Sequence, residues 1–187
     1  MEITEINENL KARFGTAVSQ IESSLWQVET EQFRLLVLLS DNQTWLRMLL
    51  PLAPVQEVQL ILQQLLEANF DQTQETRYGI HQNVVWAVFQ HNRETLTETD
   101  FNRAVSNLIS LQESGFSDHY NRLIENRIRE IIQVAKKQGQ SMETTLQNLE
   151  RFYAEGVMGD LTGSAEDRER TLTAWRYQLE GLWSEIE

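Results

Sequence analysis

The segment from Phe33 to Leu50 constrains this chain most, because two short, dense apolar runs flank a turn there and do not keep the three-to-four spacing of a helix. Phe33 to Leu39 is dense in Leu and Val, Asp41-Asn42 is turn chemistry, and Thr44 to Leu50 resumes the apolar run. That order predicts a β-hairpin. With Ser40 set opposite Gln43, one face collects Phe33, Leu35, Val37, Leu39, Leu46, Met48 and Leu50 and must be core. The other collects Arg34, Leu36, Leu38, Trp45, Arg47 and Leu49. An antiparallel sheet wetted on one side alternates apolar and polar residues more cleanly than this. Something is therefore expected over the second face, because a few hundred Å² of open apolar surface is a serious liability.

Around this hairpin the chain reads as mixed helix and sheet. Residues 3–22 carry Ile3, Ile6, Leu10, Phe14, Ala17, Val18 and Ile21 at helical steps and predict one helix. Leu25 to Glu29 predicts a short strand. Pro51 and Pro54 close the sheet segment ahead of a helix over 55–68 that is apolar on more than one side, with Asn69 as its end cap. Arg77 to His81 and Val84 to Gln90 flank Gln82-Asn83 and predict a second hairpin, whose Trp86 points with Arg77, Val84 and Val88. Thr97-Glu98-Thr99-Asp100 resembles a capping box and opens a helix through Phe101, Ala104, Val105 and Leu108. From Ser117 onward three helices are expected, the last preceded by a glycine-rich connector at 156–163 and capped by Ser164 and Asp167. The class is α+β: an antiparallel sheet of about five strands with packed helices (α-βββ-α-ββ-α) and a C-terminal helical extension. The expected division is 1–112 and 113–187.

Composition narrows the function. The net charge of −12 opposes binding to phosphates and anionic lipid, so neither nucleic acid nor membrane is the expected partner, whereas a basic or amphipathic polypeptide is attracted. The absence of Cys removes thiolate chemistry and Cys-ligated metals. The acidic first residues do not read as a signal peptide, and the longest apolar run, Leu35 to Leu39, is far short of a membrane span. Cytoplasmic location is the default. His81, His91 and His119 lack a metal-ligand spacing, the glycines at 156, 159 and 163 lack the Lys of a phosphate loop, and no carboxylate pair has an evident pocket. No catalytic, cofactor-binding or metal-binding residue is expected, and no enzyme.

The element order over residues 5–112 resembles the type III secretion chaperone family, including its Tir-chaperone-like branch. Local text resembles it too: Leu65-Leu66-Glu67-Ala68-Asn69-Phe70, Asn83-Val84-Val85-Trp86-Ala87-Val88, the link Glu94-Thr95-Leu96, and Phe101, Ala104, Val105 and Leu108. The resemblance implies a small acidic, non-enzymatic protein that dimerises and holds a client segment. Carried over by position, Val55, Val58, Leu62 and Leu65 are candidates for a dimer contact. Arg34, Leu36, Leu38, Trp45 and Trp86 are candidates for client contact, joined by Arg47 on the same face. Three covers for the second face stay open: the chain's own C-terminal helices, a second copy, or a segment of a partner protein. They correspond to an assembly factor with a self-capped sheet, a homodimer, and a chaperone-like or adaptor-like module. A small-molecule regulator with a pocket beside the sheet is a further reading.

Overall fold

A computed structural model of the chain describes residues 1–154 and 165–186. The connector at 156–163 and the Ser164 cap lie outside the described residues, as do the side chains of Phe152, Tyr153, Asp167 and Leu172. The chain divides into two compact units, Met1–His119 and Tyr120–Glu187.

In the first unit, α1 (Ile3–Phe14) leads through a single 3₁₀ turn into β1 (Val18–Glu22), β2 (Leu25–Glu29), β3 (Arg34–Leu39) and β4 (Trp45–Pro54). Next come α2 (Val55–Val58), a 3₁₀ turn at Gln59–Ile61 and α3 (Leu62–Asp71). The hairpin of β5 (Arg77–His81) and β6 (Val84–Asn92) precedes α4 (Glu98–Ser114). The sheet is antiparallel, in the order β1-β2-β3-β4-β6-β5.

The expected α+β architecture is present, with one strand more than the sequence suggested. The helix expected over 3–22 stops at Phe14, because Gly15 takes φ 57, a left-handed conformation that glycine adopts freely. Val18 and Ile21 then belong to the outermost strand, where only Val18 is even half-buried. An edge strand so exposed shows little alternation, and its spacing of three imitates a helix. The register of β1 on β2 slips between Gln20 and Glu22, a bulge.

The first hairpin turns through four residues rather than two. Ser40 N–H donates to the Trp45 carbonyl at 2.9 Å, and Asn42 Oδ1 accepts from the amide and the hydroxyl of Thr44. Leu38 therefore faces Arg47, and Leu36 faces Leu49. This register is displaced by two residues from the expected one. An even displacement leaves every side chain on its expected face. The second hairpin has the expected Gln82-Asn83 turn, with both residues at positive φ as a primed turn requires.

The inner face buries Trp26, Val28, Leu35, Val37, Leu39, Leu46, Met48, Leu50, Ala87 and Phe89. It packs against Ile6 and Leu10 of α1 and Phe101, Ala104, Val105 and Leu108 of α4. Thr97 caps α4 as expected, accepting from Asp100 N. The helix expected over 55–68 is broken by the 3₁₀ turn, and Asn69 lies within α3 rather than at its end. Its carboxamide instead serves β5, donating to the Tyr78 carbonyl at 3.0 Å and accepting from the Tyr78 amide at 2.7 Å.

The second unit holds most of α5 (Ser117–Lys137), with α6 (Met142–Ala154) and α7 (Ala165–Trp183). Ile128, Ile132, Leu149 and Leu179 form its core, and Trp175 and Trp183 pack onto it. The two tryptophans thus have the packing role that their shared stripe predicts.

Candidate functional site: the outer face of the sheet

Register fixes which side chains share the outer face. Leu25, Leu38, Arg47 and Gln90 form one row across β2, β3, β4 and β6. Gln27, Leu36, Leu49, Val88 and Arg77 form the next, reaching β5. Leu25, Leu36, Leu38, Leu49 and Val88 are half-buried, so the centre of the face is a continuous apolar stripe. Trp45 is 46% exposed at the first residue of β4. The helices α1 and α4 pack on the inner face, so this stripe is not part of the first unit's core.

The sequence-derived residues Arg34, Leu36, Leu38, Trp45, Arg47 and Trp86 all lie on this face, but not as one cluster. Trp86 faces Pro51, six residues along β4 from Trp45, or roughly 20 Å at the rise of a strand. Its indole N–H donates to the His81 carbonyl at 3.2 Å. Leu49 and Val88 lie on β4 and β6 between the two tryptophans, and Leu25 extends the stripe to β2. The pleat of the two hairpins already pointed Leu49 and Val88 this way, and only the observed register joins them to Leu36.

The charged groups differ in their partners. Arg34 pairs with Glu29 at 2.5 Å, and its hydrogen bond and charge hold the Glu29 carboxyl below the usual carboxylate range. Arg47 Nε donates to Gln90 Oε1 at 2.8 Å, and Arg77 donates to the Thr76 carbonyl at 2.6 Å. Both of those partners are neutral.

A second apolar surface lies around α3 and β5. Val58 on α2 and Leu65 on α3, expected at a dimer contact, are buried, while Val55 and Leu62 are half-buried. The open apolar side chains of this region are instead Leu60, Leu66 and Phe70, the last two 71% and 92% exposed, with Ile80 nearby on β5. Helical spacing could have flagged Leu66 and Phe70, which lie four residues apart on one side of α3. Leu62, Leu65, Leu66, Tyr78, Ile80 and Val85 line a groove of about 420 Å³ between α3 and β5. Beside it the Tyr78 hydroxyl lies 3.3 Å from His119 Nε2, and burial raises the pKa of the phenol.

Among the described residues no group of three or more His, Asp or Glu could hold a metal ion, and no helix is long and apolar enough to cross a membrane.

No family model and no curated protein sequence matches this chain. Among solved structures it is similar to a chain of the ExsC–ExsE complex, with a TM-score of 0.48 and 18% identity over 59% of this chain and 90% of that one. It is also similar to a chain of the HopA1–SchA chaperone–effector complex, with a TM-score of 0.48 and 14% identity over 59% of this chain and 89% of that one.

Proposed function

We propose that this protein is a chaperone-like or adaptor-like binding module, without enzymatic activity, that holds an apolar segment of a partner protein against the outer face of its sheet. The first compact unit, Met1–His119, contains the segment 1–112 that carries this surface, and the C-terminal helices beyond it are an extension. One observation carries the reading: Leu36, Leu38, Leu49 and Val88 make a continuous apolar stripe outside the first unit's core, with Trp45 open at its margin. Covering such a stripe gains burial energy, and a rigid tryptophan at its margin is a favoured anchor. Trp45→Ala should lower partner capture from the native cell extract by about thirtyfold, the loss of one strong anchor, while the melting temperature barely changes. Equal capture by the variant and the wild type overturns the reading.

A separate observation supports self-association. Leu60, Leu66 and Phe70 are apolar and open beside the groove between α3 and β5, the kind of patch that a second copy covers. Leu66→Glu is expected to convert a dimer to a monomer in light scattering. A wild-type chain that stays monomeric at high concentration removes this part of the proposal.

A further inference from the structure

Resting on the outer-face reading, we infer that the partner segment is acidic as well as apolar: an amphipathic polypeptide whose carboxylates meet Arg47 and Arg77. The whole chain argues for the opposite, since a net charge of −12 attracts basic partners from a distance. The outer face does not share that sign. Its carboxylates are Glu29 on β2 and Glu22, opposite Leu25 on the outermost strand β1. Glu29 is already paired with Arg34. The middle of the face, over β3, β4 and β6, carries Arg47 and no carboxylate, and the apolar row Leu36–Leu49–Val88 ends at Arg77.

Among the described residues the hydrogen-bond partners of Arg47 and Arg77 are neutral, Gln90 and the Thr76 carbonyl. Both are exposed, so in the free protein water satisfies their charge. A partner lying on the stripe strips that water away. If it brings only apolar groups, two guanidinium ions are desolvated without compensation. If it brings lysines, like charges meet at short range, where local repulsion outweighs screened attraction to the distant acidic surface. A carboxylate at each position turns the same desolvation into charge-assisted hydrogen bonds. The spacing is also defined. Arg47 and Arg77 are two strands apart and two residues apart along the strand direction, roughly 12 Å between Cα atoms. Acidic residues seven apart on a helix span roughly 10.5 Å, so an amphipathic helix with that repeat matches both arginines while its apolar side meets the stripe.

The test uses the full-length chain and two synthetic amphipathic peptides of equal length, identical in their leucines. One carries glutamates seven residues apart and the other carries lysines at the same places. Fluorescence anisotropy measures binding of each to the wild type, to Trp45→Ala, and to the double variants Arg47→Glu/Arg77→Glu and Arg47→Gln/Arg77→Gln. Thermal melts confirm that each variant folds, and the glutamine pair serves if charge reversal does not. The glutamate peptide is expected to bind. Trp45→Ala should weaken it, and charge reversal should weaken it by about tenfold or more. The lysine peptide, if it binds, should be strengthened by the reversal.

If the lysine peptide binds more tightly and depends on Trp45, the inference falls while the outer-face reading stands. If Trp45→Ala alters neither peptide, the reading itself fails and takes the inference with it. Binding of anionic lipid vesicles through the two arginines, with no glutamate-peptide binding, overturns the inference in favour of a lipid surface.

Discussion

Phe101→Ala is expected to lower the unfolding free energy of the first unit by about 3–5 kcal/mol, the range for deleting a buried aromatic ring. Phe101 is 1% exposed and packs from α4 onto the inner face, in the cluster that contains Val37, Met48 and Phe89. The cost is the lost transfer energy of the ring plus a cavity that the neighbouring β-strands cannot collapse into, because their ladder fixes their spacing. Against a typical domain stability of about 5–15 kcal/mol the change is large, and the midpoint in a thermal or urea melt should fall accordingly. The informative control is Trp45→Ala, which removes a larger side chain from the opposite face and should leave the midpoint almost unmoved. Equal destabilisation by the two variants would mean that the faces do not divide into one for folding and one for binding.

Asn69→Ala should destabilise the β5–β6 hairpin by about 1–3 kcal/mol, from the loss of two backbone-directed hydrogen bonds. β5 pairs with β6 along one side only, and on its other side the Asn69 carboxamide satisfies both the amide and the carbonyl of Tyr78. Removing it leaves a half-buried backbone pair to water and frees the strand end to fray. Native-state hydrogen exchange should show the Tyr78 amide opening at least tenfold faster, with its neighbours in β5 following. Asn69→Asp separates the two contacts. It can still accept from the Tyr78 amide, but it sets a negative oxygen against the Tyr78 carbonyl, so it should rescue only in part. Unchanged protection of the Tyr78 amide in Asn69→Ala would show that the carboxamide does not hold the strand.

Much of this was legible in the sequence because pleat parity is robust. The hairpin register was displaced by two residues, yet Leu36, Leu38, Trp45 and Arg47 kept their face, since only an odd displacement would exchange the faces. Three things were not legible. β1 is an edge strand with little burial, so Val18 and Ile21 carried no period-two signal, and Gly15 alone marked where the helix stops. The choice between the sides of the segment from α2 through α3 was also hidden. Val58, Ile61, Leu65 and Ala68 form the buried stripe and Leu60, Leu66 and Phe70 the open one, and both are apolar enough to be either. Finally, net charge is a sum over the whole chain, so it gave no hint that Arg47 and Arg77 stand together on a face largely free of acids. That grouping depends on which strand neighbours which, information held in the strand order and not in the composition.

The bulge between Gln20 and Glu22 has a consequence for how this protein behaves when concentrated. A strand with a slipped register and an outward-facing glutamate offers a poor template for docking another backbone, because the incoming hydrogen-bonding groups fall out of step. Polymerisation by strand stacking is thereby blunted at that border of the sheet. The apolar outer face therefore need not bring sheets together through their main chains at the β1 border.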